Sequence, residues 1–510
     1  MFCRVSSVMV QGIRGCLIHV ETNVCDGLPN FIMVGYLSCN LKEAKERVQT
    51  AIRNSGYFLP PKHITVNLAP ADIRKDGSSY DLSIAIGILA ATGYIHNEQL
   101  EEYIIIGELS LDGHVNQVHG IMPMVLCGKE SGYKKCIVPV ANYAEAILVE
   151  DMEVLPINNL RQLVDYLNIG DRDELPCIPG TTYENVVSDS YPGFSEIYGQ
   201  DSAKRAAEIA AAGMHNLLLS GPPGSGKTMI AKKMPTIMPP LTRQESLELT
   251  KIYSVSGMLN KQCPLIEQRP FRAPHHTITG IGLVGGGRFP KPGEISFAHH
   301  GVLFLDELPE YNRNVLQLLR QPLEEHAVTI VRNDGVYEYP ANFILIAAMN
   351  PCPCGYFPDQ SKCSCTIQDI RNYQNRISHA LLDRIDMKIQ VVRVSYEQLR
   401  KYENHALSSE SIKVRVCDAV EIQRKRFREE SILFNSEMNG KLIKKYCQLS
   451  LENEELLKKA FYQMNLSARG LHRTLRVART IADLERENNI EETHLIEALS
   501  YRITDMQIGG

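Results

Sequence analysis

The sequence has no tryptophan, so only its 22 tyrosines and 13 phenylalanines could stack against nucleic-acid bases. It has no basic excess either. Fifty-four Lys and Arg face 59 Asp and Glu, a net charge of −5 with His neutral. A chain-wide positive field is therefore excluded, and any nucleic-acid contact must use a local stripe of Lys and Arg. No uninterrupted apolar run approaches the roughly 20 residues that a membrane helix needs. The start, Met1-Phe2-Cys3-Arg4-Val5-Ser6, lacks the basic stretch and long apolar core of a secretory signal. These absences predict a cytoplasmic chain with no membrane partner.

What is present is ordinary globular material in quantity. The chain has 510 residues, 44% hydrophobic and 22% charged, enough for about two to four domains. Its 14 cysteines stay reduced in the cytosol, where clustered thiols are more often metal ligands than disulfides.

The organisation changes along the chain. Residues 1–170 mix strand-like runs such as Ile104–Leu109 with the apolar helical stretch Leu82–Ala91. Residues 171–192 are acidic, carry Pro and Gly, show little periodicity and read as a linker. Residues 193–393 alternate helix and strand, with short apolar strands at Asn216–Ser220, Val302–Leu305 and Phe343–Ala348. Residues 394–510 read as helical throughout. The predicted fold class is α/β: an α+β N-terminal domain, a parallel-sheet core and a helical C-terminal lid.

Gly221-Pro222-Pro223-Gly224-Ser225-Gly226-Lys227-Thr228 satisfies G-x-x-x-x-G-K-S/T between a predicted strand and a predicted helix, as the motif requires. The glycines let backbone N–H groups turn toward phosphates, and the helix N-terminus adds its dipole. Lys227 would reach the β- and γ-phosphates of ATP, and the Thr228 hydroxyl would ligate Mg²⁺. A second carboxylate source is the strand that ends in Asp306-Glu307. Asp306 is placed to hold Mg²⁺ and Glu307 to orient or deprotonate the attacking water, the alternative being a helix cap. Asn350 ends the third apolar strand, where an amide could position water or simply form a turn.

Taken in order, Gly199-Gln200, the glycine-rich loop, Leu303–Glu307, Ala347–Asn350 and Leu381–Asp386 resemble the AAA+ ATPases. The segments Phe271–Thr277, Lys291–Ile295 and Arg320–Glu324 resemble the magnesium-chelatase-like branch, specifically the ComM/YifB family, over essentially the whole chain. The resemblance implies that Asn350 is sensor 1 and that Arg384 is an arginine finger serving a neighbouring subunit. It also implies that Arg469 is sensor 2, with Arg473 in reserve, and that the chain assembles as a homo-oligomeric ring, a hexamer. Its implied activity is branch migration of DNA during recombination. The competing readings are a chelatase-type motor subunit and a protein-remodelling ATPase.

Three further features need structural placement. Asn333-Asp334-Gly335 between two β-rich runs signals a hairpin resembling the pre-sensor 1 hairpin of this branch, with Arg332 able to meet a phosphate backbone. His275 and His276 are loop residues of the motor or polar residues of a Pro-bounded turn. Cys352, Cys354, Cys363 and Cys365 form two C-x-C pairs on a Pro/Gly-rich loop, which suits a closed structural Zn²⁺ site or a loop of reduced thiols.

Residues 1–170 resemble the Lon-type proteolytic fold. Lys75-Asp76-Gly77-Ser78-Ser79 puts Ser79 at the nucleophile position, while the position of the catalytic lysine carries Met122. A thioether takes no proton, so the domain is expected to be catalytically degenerate.

Overall fold

The computed structural model describes residues 1–36, 39–96, 100–170, 176, 193–197, 199–260, 263–333, 335–393 and 409–502. Most of the expected linker at 171–192, the expected boundary beyond residue 393 and Asp334 of the hairpin turn lie outside the described residues. The chain divides into two compact units. One comprises Met1–Val186, Ser246–Ile266 and Thr329–Tyr339; the other comprises Val187–Glu245, Glu267–Val328 and Pro340–Gly510.

The first unit is built on a seven-stranded mixed sheet. Its strand order is Asn30–Val34, His63–Ala69, Arg14–Cys25, Phe2–Gln11, Tyr103–Ile105, Lys135–Pro139 and Glu153–Ile157. The first two long strands pair antiparallel with Val5 opposite Val20 and Gln11 opposite Arg14. The His63–Ala69 strand alternates buried and half-buried residues, the period of a one-sided sheet. The expected helix forms at Asp81–Ala91, and it is buried all round, as its continuous apolar run requires. Gly87 permits the close approach: a Cβ there would meet Thr22 Oγ1 at 2.7 Å. The expected strand at 104–109 splits. Tyr103–Ile105 joins the sheet, while Glu108–Leu109 pairs with Val115–Asn116 across the Asp112-Gly113 turn. The expected hairpin forms from Ala327–Arg332 and Gly335–Pro340. Within this unit Glu338 pairs with Arg14 at 3.3 Å on the surface, and Arg332 is exposed.

The second unit holds a five-stranded parallel sheet in the order Phe271–Arg272, Val302–Leu305, Ile344–Met349, Leu217–Ser220 and Met387–Gln390. Its three anticipated strands are buried on both faces. The two outer strands were not anticipated: they are two and four residues long, and Met387–Gln390 alternates like a surface segment. The core gathers Leu217 and Leu219 from the glycine-loop strand, Ile346 and Ala348 from its neighbour, and Ile481 from the C-terminal helix Ala468–Leu484. Each fully buried Leu or Ile contributes about 1.5–3 kcal/mol relative to exposure. The C-terminal helices are thus fastened to the sheet that carries the glycine-rich loop. Beyond residue 408 the described residues carry no strand. The α/β class, the parallel sheet and the helical C-terminal region are as expected. No described helix is long and apolar enough to cross a membrane.

Candidate active site

The glycine-rich loop joins the Leu217–Ser220 strand to the helix Lys227–Ile237. Gly226 takes φ +90°, and a Cβ there would have no neighbour within 4 Å. Open space and left-handed backbone together make a cradle. At Gly221 the constraint is steric instead: a Cβ would fall 2.2 Å from the Val391 carbonyl oxygen. Gln200 Nε2 donates to the Ser225 carbonyl at 3.0 Å, and Arg393 Nη2 to the Pro223 carbonyl at 3.1 Å, bracing the loop from outside.

Lys227 Nζ is folded back onto the loop, donating to the carbonyls of Gly221 at 2.6 Å and Pro222 at 3.0 Å, and to Asn350 Oδ1 at 3.3 Å. Burial depresses this ammonium below its ordinary value, while Asp306 and Glu307 act against the depression. Ser225 Oγ is buried without a hydrogen-bond partner. An ammonium held by two carbonyls of its own loop and by Asn350, an orphan hydroxyl and an open cradle fit a phosphate chain.

The acidic pair lies at the end of the Val302–Leu305 strand. Thr228 Oγ1 donates to Asp306 Oδ2 at 2.8 Å, bringing together the two residues expected to hold Mg²⁺. Glu307 has φ +51°, left-handed backbone that costs a non-glycine residue about 1 kcal/mol. Its carboxylate is exposed and lies 3.8 Å from His276 Nδ1. The tip of the loop containing His275 and His276 is fixed by Tyr311, whose hydroxyl donates to the Pro274 carbonyl at 2.6 Å. His276 therefore flanks the acidic pair, a placement the sequence left open between loop and turn.

Arg384 and Arg469 are elsewhere. They line a cavity of about 250 Å³ together with Asn216, Glu324, Phe343 and Asp386. Asn216 precedes the glycine-loop strand and Phe343 precedes the Asn350 strand, so this cavity opens at the strands' starting ends. The glycine loop leaves from their finishing ends. Four strand residues separate the two, about 13 Å along the sheet. Arg384 is buried and donates to Glu324 Oε1 at 2.7 Å; exposed Arg469 approaches the same oxygen at 3.8 Å. Arg473 turns inward instead and pairs with buried Asp386 at 3.3 Å. Arg384 Nε, Arg473 Nη1 and Arg476 Nε are buried without partners. The pairing through Glu324 had no sequence signal, because 60 residues separate it from Arg384.

Three family descriptions match the chain: "Magnesium chelatase, subunit ChlI" over residues 193–399, "Subunit ChlI of Mg-chelatase" over 20–142, and "Magnesium chelatase, subunit ChlI C-terminal" over 406–502. The chain is 41% identical over 496 residues to competence protein ComM of Haemophilus influenzae, covering 96% of both chains. It is 40% identical over 494 residues to the uncharacterized protein YifB of Escherichia coli, covering 97% of this chain and 96% of that one. The chain belongs to the ComM/YifB family of magnesium-chelatase-like AAA+ proteins. A shorter stretch, 26% of the chain, is 30% identical to Lon protease 2 of Bacillus subtilis.

Two further groups of expected residues can be placed in this ComM/YifB chain. Cys352, Cys354, Cys363 and Cys365 converge, with all four sulfurs within 4.8 Å of one another. In the Lon-like unit, Ser79 is nearly buried just ahead of the helix Asp81–Ala91, and Ser78 Oγ donates to Glu108. Met122 is buried at the start of its helix, with its backbone N–H given to Glu145 at 3.0 Å. Lys129 pairs with Asp151 and Lys135 with Glu102. Lys75, whose burial the sequence did not signal, is fully buried, and burial depresses its ammonium below the ordinary value.

Proposed function

We propose that the chain is an ATP-hydrolysing ring motor that acts on DNA, with the motor in residues 193–393, a helical lid in 394–510 and an N-terminal domain in 1–170 joined by a linker at 171–192. The carrying observation is the division of the chemistry between the two ends of one parallel sheet. Lys227, Thr228, Asp306, Glu307 and Asn350 gather at the finishing ends of the strands, and Arg384 and Arg469 at the starting ends. A subunit built this way carries a phosphate loop out of reach of its own Arg384 and Arg469, and an arginine cavity without a phosphate loop. Both are completed when a second copy brings its arginine end to the first copy's loop, which favours a closed ring.

In this reading the loop N–H groups, Lys227 and Ser225 bind the phosphates of ATP. Thr228 and Asp306 would hold Mg²⁺, which would supply charge neutralisation for the phosphates. Glu307 takes the proton of the attacking water, which Asn350 positions. Arg384 and Arg469 leave Glu324 for the neighbour's phosphate, where developing charge exceeds what one carboxylate offers. Glu324 is thus a holding partner for two arginines whose target lies in another subunit.

DNA as the track is supported by the similarity to competence protein ComM and by exposed Arg332 on the hairpin. The Lon-like domain is read as non-proteolytic, because Met122 stands where a base is required and Lys129 and Lys135 are paired elsewhere. The compartment is the cytoplasm and the ring a hexamer.

The test is strand exchange on three- and four-stranded DNA junctions, comparing wild type with Lys227→Ala and Glu307→Gln. ATP-dependent movement by wild type alone supports the reading. Intact ATPase without binding or movement of any DNA overturns it. Stimulation of that ATPase by a chelatase partner, or by unfolded polypeptide, would select one of the competing motors instead.

A further inference from the structure

The cysteine loop lies between the strand that ends at Asn350 and the helix Ile367–Gln374. Its ends are drawn together: Gln374 Nε2 donates to the Pro351 carbonyl at 3.2 Å, and a Thr366–Asp369 capping box starts the helix. Between these anchors the chain reverses at Gly355, φ +84°, and again at Asp359, whose carbonyl accepts from the N–H groups of Lys362 and Cys363. The four sulfurs meet inside. Cys352 and Cys354 are 3.3 Å apart, Cys354 and Cys363 3.5 Å, and Cys352 and Cys363 3.8 Å. A tetrahedral Zn²⁺ with Zn–S of about 2.3 Å sets its sulfurs about 3.8 Å apart. The Phe357 N–H points at Cys352 Sγ at 3.4 Å, the outer support that thiolate ligands receive.

The same loop touches the glycine-rich loop. A Cβ built on Gly355 would fall 2.5 Å from Pro223 Cδ, so the Gly355 backbone packs directly against the Pro223 ring. Tyr356, the next residue, lies under the Arg393 guanidinium at 5.6 Å, and Arg393 donates to the Pro223 carbonyl. Pro223 is therefore held by Gly355 directly and by Tyr356 through Arg393, two consecutive residues between the second and third cysteines.

We propose that Cys352, Cys354, Cys363 and Cys365 hold one Zn²⁺ as a closed tetrathiolate, and that this metal clamps the phosphate loop through the Gly355–Pro223 contact. Binding exchanges the four thiol protons for the metal, releasing them to solvent, and leaves no open coordination position. The ion is structural, and four thiolates select Zn²⁺ over the hard cation at Thr228 and Asp306. The clamp shapes the loop before nucleotide arrives, so losing it weakens nucleotide binding and leaves the chemical groups in place. This second half rests on the nucleotide reading of the glycine-rich loop.

The experiment uses the full chain purified without chelator. Elemental analysis gives the zinc-to-protein ratio, cobalt(II) reconstitution gives the tetrathiolate absorption, and a fluorescent ATP analogue gives nucleotide affinity. Wild type is expected to hold one zinc, and Cys363→Ser/Cys365→Ser none, with nucleotide affinity lower by about tenfold, the scale of a lost supporting contact. Gly355→Ala keeps the ligands and spoils the contact, so it should retain zinc and lose affinity. Lys227→Ala should retain zinc and lose nucleotide. A wild-type ratio near zero, or iron in place of zinc, overturns the metal site. Zinc loss with unchanged nucleotide affinity overturns the clamp. Wild type that holds zinc yet binds no nucleotide overturns the proposed function and leaves the metal site standing.

Discussion

Thr228 Oγ1 donates to Asp306 Oδ2 at 2.8 Å across a sheet in which the Asn350 strand separates their two strands. Hydroxyl and carboxylate are already side by side, so under the proposed reading little reorganisation is left for Mg²⁺ binding. Thr228→Ala and Asp306→Asn should each lower Mg²⁺-dependent hydrolysis by about 100-fold or more, since a bound metal supplies several kcal/mol of charge stabilisation. Glu307→Gln should still bind ATP and lose hydrolysis by about 10²–10⁴-fold, the range for a general base. Single-turnover hydrolysis alongside nucleotide binding separates these outcomes. Equal loss of ATP binding in all three would contradict the division of labour.

Glu324 accepts from Arg384 and lies 3.8 Å from Arg469, at the end of the sheet away from the glycine loop. If both arginines serve a neighbour, inactive chains should repair one another. Lys227→Ala chains and Arg384→Ala chains should each be inert alone, because an arginine finger is worth about 10³–10⁵ in rate. Mixed at equal amounts, about a quarter of ring interfaces by random assembly join an intact Lys227 to an intact Arg384, and ATPase should return in that proportion. A mixture as inert as its parts would place Arg384 at its own subunit's site.

The legible residues are those whose meaning lies within a few positions of the chain. Gly221–Thr228 announces its loop because phosphate binding needs those residues at consecutive places, and the hairpin at 327–340 announces itself through its Asn-Asp-Gly turn. Four cysteines at short spacing point to one another for the same reason, and their sulfurs do meet. Glu324 was opaque: its partners Arg384 and Arg469 lie far downstream and reach it only once the sheet has formed. Met387–Gln390 was opaque because a four-residue strand at a sheet edge earns its state from pairing with Leu217–Ser220. The burial of Lys75 had no local signal, because it comes from packing.

The junction below the sheet carries a pH signature. Burial alone would raise the Asp386 carboxyl, but His215, Arg473 and Arg476 outweigh it and hold it at about 2, below the usual 3.8. The folded chain therefore takes up this proton less readily than the unfolded chain. Stability from Asp386 is complete above about pH 4 and is lost as pH falls toward 2, an effect of about 2 kcal/mol. Denaturation of wild type between pH 5 and 2, measured against Asp386→Asn, should show this component in wild type alone. At neutral pH the variant should be destabilised by about 3–5 kcal/mol, the cost of breaking a buried pair. Parallel acid curves for the two would rule out the assignment.

Gly221 and Gly226 belong to one motif but resist substitution for different reasons, and alanine distinguishes them. At Gly226 the added methyl meets nothing within 4 Å and only the φ of +90° is unfavourable, a cost of about 1 kcal/mol. At Gly221 the methyl would fall 2.2 Å from the Val391 carbonyl oxygen, which is backbone and has no rotamer to yield. Val391 follows the Met387–Gln390 strand, and its N–H donates to the Ser220 carbonyl at 2.7 Å. Gly221→Ala must therefore either push the loop off its strand or unpair the edge strand. It should abolish nucleotide binding and lower the melting temperature, whereas Gly226→Ala should weaken binding about tenfold with a smaller change in melting. Titration with a fluorescent ATP analogue and thermal melting of both variants provide the comparison. A Gly221→Ala chain that binds nucleotide as tightly as Gly226→Ala would mean the Val391 backbone gives way freely and the edge strand does not brace the loop.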